Sequence, residues 1–417
     1  MSGTLIDWSS TFYRSPELVT GRTVRCAVDA PLPAVAFLER VGVAEVQFTG
    51  ELAAAHASIL WDEIASWRTS ADGGAGPPLG EELLANACTA DGFKRAAELG
   101  TIGLGLVRGE FLFAVAVAAL VNQQFAGGGT VADALASDGE WRTLCRLLAD
   151  QRLRRMLAEQ LMFILDAANS AFPPSAPVFV RCFDYGDAYS GTGGGQRGAA
   201  LLLDQLPEAV GFLAKIVAEA QARHAVRYVF AMPMVATYAE LTETVALAGR
   251  GGVTFAASPD DLTRPGFGWE VETPAACLCT GLWSDHLKRE YGIVPALCGI
   301  GTNDLTQFTL ARPRRKPVRL VDARHEAHPA VLALLGRLAD DCTGRGISAV
   351  LSGAAGEDPG YRAFARQLGF LVSCPIPALM TAAHDRLTPV LTQAVAADRL
   401  VDAYGVADAI GRGINSA

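Results

Sequence analysis

Paired cysteines, basic runs and long apolar stretches are all missing from this sequence. Its nine cysteines are scattered singly apart from Cys277 and Cys279, an odd count with no CxxC spacing. That argues against a cysteine-built zinc site and a disulfide framework and fits a reducing compartment, so a cytoplasmic location is expected. No lysine and arginine run interleaves with aromatics and the formal net charge is −9, which speaks against nucleic acid as a partner. The apolar stretches are broken by charge or glycine well short of the ~18 residues a membrane span needs. The first eight residues hold no basic segment leading into an apolar one, so no signal peptide is evident. What is plentiful is apolar surface: half of the 417 residues are hydrophobic. A large core can be buried, as two or three domains or as one barrel with additions.

The stretch Cys298-Gly299-Ile300-Gly301-Thr302-Asn303-Asp304-Leu305-Thr306-Gln307 reads as a buried strand that ends by delivering an amide, a carboxylate and hydroxyls to a pocket. Around it the chain divides into three parts: an N-terminal extension with linker over 1–80, a main domain over 81–384 and a C-terminal helical tail over 385–417. The extension holds one alternating run, Thr23 to Val28, and one helical run, Leu52 to Trp67. The linker, Thr69 to Gly80, carries four Gly and two Pro, punctuation typical of a boundary. From Glu81 onward apolar runs alternate with helical stretches, as in parallel βα units. The runs are Leu83 to Ala87, Ile102 to Val107, Val178 to Arg181, Tyr228 to Met232, Trp269 to Glu272, Val294 to Ile300, Ile347 to Leu351 and Phe370 to Ser373. Eight of them predict a (β/α)8 TIM barrel.

Polar residues cluster where these runs end: Asn86, Arg108 with Glu110, Arg181 with Asp184, Glu272, Asn303 with Asp304, and Ser352. Barrels of this kind build their active sites at that end. Glu272 and Asp304, on neighbouring predicted strands, offer hard oxygen ligands suited to Mg2+ or Mn2+. Arg108, Arg181, Arg197 and Arg314 are expected to converge there, a set that matches a phosphate or carboxylate. The glycine-rich turn Gly191 to Gly195 before Arg197 would open a helix and present backbone N–H groups to an anion.

Six segments, in order, resemble the C-terminal barrel of the PEP-utilising enzymes: Gly103 to Phe113, Val178 to Arg181, Gln196-Arg197-Gly198, Met232-Pro233-Met234-Val235, Val271-Glu272-Thr273-Pro274 and Gly301 to Gln307. That family includes phosphoenolpyruvate synthase, the member most similar here, with pyruvate phosphate dikinase and the first enzyme of the sugar phosphotransferase system. The resemblance implies a phosphoenolpyruvate/pyruvate-type barrel with Glu272 and Asp304 holding Mg2+. Arg108, Arg181, Arg197 and Arg314 would bind phosphate and carboxylate, with Asn303 donating to the phosphate and Arg108 and Arg197 acting in catalysis.

Departures from the family pattern matter as much. Ser352 stands where relatives carry the cysteine that exchanges a proton with C3 of enolpyruvate, and a hydroxyl is a far weaker acid than a thiol. Glu270 adds an acidic group beside the metal position. None of the six histidines lies in the Gly-rich Thr-x-His setting of the family's phosphohistidine, and the leading residues are too few for an ATP-grasp domain. The expected activity is therefore phosphoryl transfer between PEP and a separate phosphohistidine carrier protein, through enolpyruvate, in an expected homodimer. Two alternatives stand beside it: a Mg2+-dependent lyase or mutase that uses the enolate for C–C or C–P chemistry, and a non-catalytic PEP-binding module. Retention of both carboxylates and all four arginines argues against the last, because an idle site has little reason to gather so much charge.

Overall fold

The computed structural model describes residues 4–6, 23–27, 45–49, 79, 82–124, 140–186, 196–311, 327–353, 356, 358–376, 378–379 and 382. Three short strands, β1 (Thr4–Ile6), β2 (Thr23–Ala27) and β3 (Glu45–Thr49), form a parallel sheet in that order. Only β2 announced itself by alternation. The expected helical run 52–67, the glycine turn 191–195, Arg314 and the tail 385–417 lie outside the described residues.

The main body runs β4 (Leu84–Asn86), α1 (Ala90–Glu98), β5 (Leu104–Arg108), α2 (Gly109–Gln124), α3 (Glu140–Ala149), α4 (Gln151–Ala171), β6 (Pro177–Arg181), α5 (Ala199–Gln205), α6 (Pro207–Arg223), β7 (Arg227–Met232), α7 (Tyr238–Arg250), β8 (Gly266–Val271), α8 (Pro274–Tyr291), β9 (Leu297–Gly301), α9 (Thr302–Leu310), α10 (Pro329–Arg345), β10 (Ser348–Ser352), α11 (Pro359–Gln367) and β11 (Leu371–Pro375). Strands β4 to β11 close into an eight-stranded parallel barrel with each strand beside its chain neighbours. The chain is a (β/α)8 barrel.

Period-two alternation sorts the strands into two faces, save at β5, where the register shifts between Leu104 and Val107. Val178, Val180, Tyr228, Phe230, Phe267, Trp269, Cys298, Ile300, Ala349 and Leu351 join the large core between strands and helices. Their alternates Leu84, Leu106, Phe179, Val229, Ala231, Leu297 and Val350 form a separate small cluster that fills the barrel's interior. One step further along each strand the interior turns polar. Arg108 follows Leu106, Arg181 follows Phe179, and Ser352 follows Val350.

Local sequence explains two boundaries that differ from the expected ones. Strand β9 starts at Leu297 and not at Val294, since Pro295 has no N–H to give the ladder. Strand β8 reaches back to Gly266, although Gly-Phe-Gly is weak strand sequence, because the backbones crowd there. A Cβ on Gly268 would collide with the Leu297 carbonyl. Among the described residues the long connection before β6 holds α2, α3 and α4, the last two separated at Asp150, whose carboxylate caps α4 by accepting from the amides of Arg152 and Leu153.

Candidate active site

The end of β8 is held with unusual firmness. Thr273 caps α8, accepting from Ala276 N at 3.1 Å while its hydroxyl donates to the Val235 carbonyl at 3.0 Å, and Pro274 occupies the first helical turn. Glu272, immediately before the cap, is thereby fixed at the mouth. Its Oε2 accepts from Met234 N at 2.9 Å. Met234 reaches that pose with φ 53, a left-handed conformation uncommon for a side-chain-bearing residue. Gly301 makes room from the other side, since a Cβ there would lie 2.7 Å from Glu272 Cγ and Oε1.

Two guanidiniums tie this corner to the rest of the mouth. Arg181, at the end of β6, donates from Nη2 to Glu110 Oε1 at 2.5 Å and lies 3.4 Å from Asp184 Oδ2 and 3.7 Å from Glu272 Oε1 through Nη1. Arg197 donates from Nε and Nη2 to the two oxygens of Asp184 at 3.0 and 2.7 Å, and from Nη1 to Asp304 Oδ1 at 2.8 Å. The arginines expected to converge on an anion do converge, Arg108, Arg181 and Arg197 among the described residues, but Arg181 and Arg197 are already paired with carboxylates. Burial makes an unpaired guanidinium costly, and Arg181 and Arg197 are accordingly matched within the cluster.

Acidic groups still outnumber basic ones. Five buried carboxylates, Glu110, Asp184, Glu270, Glu272 and Asp304, face three guanidiniums, Arg108, Arg181 and Arg197. Glu110 Oε2 and Glu270 Oε1 are buried and have no hydrogen-bond partner among the described residues. Burial, and then the neighbouring Glu270 and Asp304 charges, push the Glu272 carboxyl well above its ordinary range. Burial also lifts Glu270, to about 7, against the pull of Arg181. Burial would raise Asp184 as well, but Arg181 and Arg197 outweigh it and hold that carboxyl low. Among the described residues no three His, Cys, Asp or Glu side chains stand together as a ready metal site, so a divalent cation would have to draw these surplus acid oxygens together.

Ser352 lies at the end of β10, beside Gly301 in register, and is buried. Its Oγ donates to the Ile300 carbonyl at 3.3 Å while its own carbonyl accepts from Thr302 Oγ1 at 3.1 Å, a double link between the ends of β9 and β10. Asn303 and Asp304 stand in the first turn of α9, which starts directly from the strand with no intervening Asn-Asp turn. The described amides at the start of α5 do not open onto an anion. Gly198 N donates to the Tyr185 carbonyl and Ala199 N to that of Pro233.

A family model described as PEP-utilising enzyme, PEP-binding domain, matches residues 79–384. The chain belongs to the PEP-utilising enzymes. A probable phosphoenolpyruvate synthase of Archaeoglobus fulgidus is 40% identical over 93 residues, 22% of this chain and 11% of that protein. The phosphoenolpyruvate-dependent phosphotransferase system protein of Escherichia coli is 30% identical over 178 residues, 42% of this chain and 22% of that protein. The matches thus span about a tenth to a fifth of these relatives. Among solved structures, Haloferax volcanii malate synthase in a pyruvate/acetyl-CoA ternary complex superposes with TM-score 0.38 at 16% identity, over 57% of each chain. A HpcH/Hpal aldolase/citrate lyase family protein from Burkholderia cenocepacia gives 0.38 at 13% identity, over 74% of this chain and 93% of that one.

Within this PEP-utilising barrel, three acidic groups at the mouth were named from sequence without their surroundings: Asp184, Glu110 and Glu270, the last as an acidic group beside the metal position. The first two were visible as polar residues after strands, but their role as partners of Arg181 and Arg197 needs the strand order. Glu270 sits two residues before Glu272, and period two alone places both on the interior face.

Proposed function

We propose that this barrel binds phosphoenolpyruvate or pyruvate with Mg2+ (or Mn2+) and moves a phosphoryl group between PEP and a histidine on a separate carrier protein. The observation that carries this reading is the charge pattern of the mouth: carboxylates in excess, crossed by guanidinium forks, in a domain of the PEP-binding family. Glu272 and Asp304 would hold the metal, which when bound supplies fixed positive charge against the enol oxygen. Arg108, Arg181 and Arg197, with Arg314, would hold the phosphate and carboxylate through charge-assisted hydrogen bonds, and Asn303 would donate to the phosphate.

In the direction from PEP, the bond between phosphorus and the enol oxygen breaks and one to the carrier histidine nitrogen forms. Arg108 and Arg197 meet the charge spread over the transferring oxygens. The enolate left behind then takes a proton at C3, and Ser352, at the end of β10, would be the residue to give it. No helix among the described residues is long and apolar enough to cross a membrane.

One observation favours a second reading. The Ser352 hydroxyl is a weak acid already committed to the Ile300 carbonyl. A site slow to protonate the enolate would preserve it for attack on a second substrate, as in a lyase or mutase.

Calorimetry with oxalate, a mimic of the pyruvate enolate, and with PEP tests the shared core of both readings, and Mg2+-dependent binding is expected. NMR in deuterated water then follows phosphorus and the C3 protons. Absence of metal-dependent binding for both ligands overturns the proposal, and consumption of pyruvate on adding an aldehyde acceptor would favour the second reading.

A further inference from the structure

We propose that Arg197 is a built-in substitute for the divalent cation, which couples metal and anion binding through one side chain. The inference rests on the metal and anion reading above and specifies how its two halves are linked. A guanidinium has two donor edges. Arg197 spends the Nε–Nη2 edge on Asp184, at 3.0 and 2.7 Å, and the Nη1 corner on Asp304 Oδ1 at 2.8 Å, with Nη2 at 3.4 Å from Oδ2. Asp184 follows β6 and Asp304 follows β9, so this one cation spans the mouth between two strands that are not neighbours.

Both carboxylates are almost sealed, with side chains 1% and 6% exposed, whereas Arg197 is 28% exposed. A buried carboxylate is either paired with a positive charge or driven toward its neutral form. Arg197 supplies such a charge to Asp304, which would be one of the two oxygen donors to the metal. A metal on the Asp304 oxygens would compete with the Arg197–Asp304 contact. It need not displace the Asp184 contact, so the guanidinium stays in place by one edge while Nη1 is released toward the open mouth.

The backbone favours such a partial release. Arg197 is anchored by its antiparallel bridge to Gly186 and by the amide of Gly198 on the Tyr185 carbonyl. Gly198, at φ 59, is packed so closely that a Cβ would lie 2.5 Å from Met234 Cβ. The side chain can turn; its root cannot follow. A freed Nη1 is a charge-assisted donor facing the solvent side of the site, where an anion completes its coordination. Metal and anion then favour one another by the same factor in both orders of binding. Asp184 acts as a positioning residue for Arg197 in both states.

The experiment uses the full chain with two probes, Mn2+ followed by electron paramagnetic resonance and inorganic sulfate followed by calorimetry. In the parent, sulfate is expected to bind more tightly once Mn2+ is saturating. Arg197→Gln should bind Mn2+ without anion about tenfold more tightly, the scale of one charge-assisted contact no longer in competition, and its sulfate affinity should no longer respond to Mn2+. Arg108→Gln removes the same charge from the same cluster without touching Asp304, so its Mn2+ affinity should shift far less and its sulfate response should persist. Asp184→Asn should weaken Mn2+-dependent sulfate binding and Asp184→Glu should restore it.

Equal Mn2+ affinities in Arg197→Gln and Arg108→Gln would overturn the inference, because net charge alone would then set metal affinity. If Arg197→Gln does not fold, a parent whose sulfate affinity ignores Mn2+ overturns it just as well. A parent that binds neither Mn2+ nor oxalate removes the functional reading itself, an outcome distinct from metal and anion binding that occur without coupling.

Discussion

Arg181 and Glu110 form an ion pair closed off from solvent: Nη2 donates to Oε1 at 2.5 Å between side chains 6% and 0% exposed. They are 71 positions apart in the chain and meet because β5 and β6 are neighbours, with Arg108 beside Arg181 in register. Arg181 also lies against Asp184 and Glu272, so one guanidinium serves three carboxylates.

Arg181→Met should therefore weaken the fold as well as anion binding. Removing one partner of a buried pair typically costs about 3–5 kcal/mol, because the other charge is left uncompensated. Urea unfolding of the variant should show a loss of that size. The double variant Arg181→Met/Glu110→Gln should lose less than the two single losses combined. Stability equal to the parent in Arg181→Met would mean that the carboxylates repair themselves without it.

The architecture was legible because eight apolar runs sit at barrel spacing and nothing else in the chain competes with them. The polar ends were legible too, since Glu272 and Asp304 follow runs that could only be buried. Pairing was not. That Arg181 is matched by Glu110 and that Arg197 crosses from Asp184 to Asp304 depends on strand order and on distances of a few ångströms, and a sequence carries neither. The same limit applies to Cys374, which ends a strand and invites assignment as an acid at the site. Its thiol instead donates to the Gly356 carbonyl at 3.0 Å and packs in the layer facing the helices, whereas the adjacent Ser373 takes the interior face and bonds Asn86. A one-residue difference reverses the face.

Gly301 offers a test of the metal corner without touching a charged residue. With φ −85 it has no need of glycine's conformational freedom; its small size matters because a Cβ would lie 2.7 Å from Glu272 Cγ and Oε1. Gly301→Ala should push the Glu272 carboxylate aside, at roughly 1–3 kcal/mol in stability. Mg2+-dependent oxalate binding should fall toward that of Glu272→Gln or Asp304→Asn, in both of which it should be abolished. Parent-like oxalate affinity in all three would sink the assignment of Glu272 and Asp304 to the metal.

Glu270 should give the metal-free protein a characteristic pH dependence. Burial raises its carboxyl from 4.5 to about 7. Between those values the folded protein keeps a proton that the unfolded chain has released, so stability falls as pH rises through this window and levels off above it. This contribution is at most about 3 kcal/mol. With a chelator present, denaturant midpoints of Glu270→Gln should fall less steeply than the parent's between pH 4.5 and 7. Identical profiles would place the proton on another group.

The sharpest expectation concerns Ser352. Interconversion of PEP and pyruvate requires that C3 gain or lose a proton, and Ser352 is the family-matched residue at the end of β10. Proton transfer is most effective when the donor pKa lies near the working pH, which a neutral serine hydroxyl does not approach. Its hydrogen is moreover directed at the Ile300 carbonyl at 3.3 Å, within a buried link between β9 and β10. Exchange of pyruvate methyl protons in deuterated water with Mg2+ is therefore expected to be very slow in the parent and to rise in Ser352→Cys, where a thiol takes the same place. Fast exchange in the parent that survives Ser352→Ala would show that another acid is at work. Cys374 is turned away from the interior, so Glu270, on the interior face, would be the next residue to substitute. Exchange that stays slow in Ser352→Cys, in a variant that still binds oxalate with Mg2+, would favour chemistry that keeps the enolate for a second substrate.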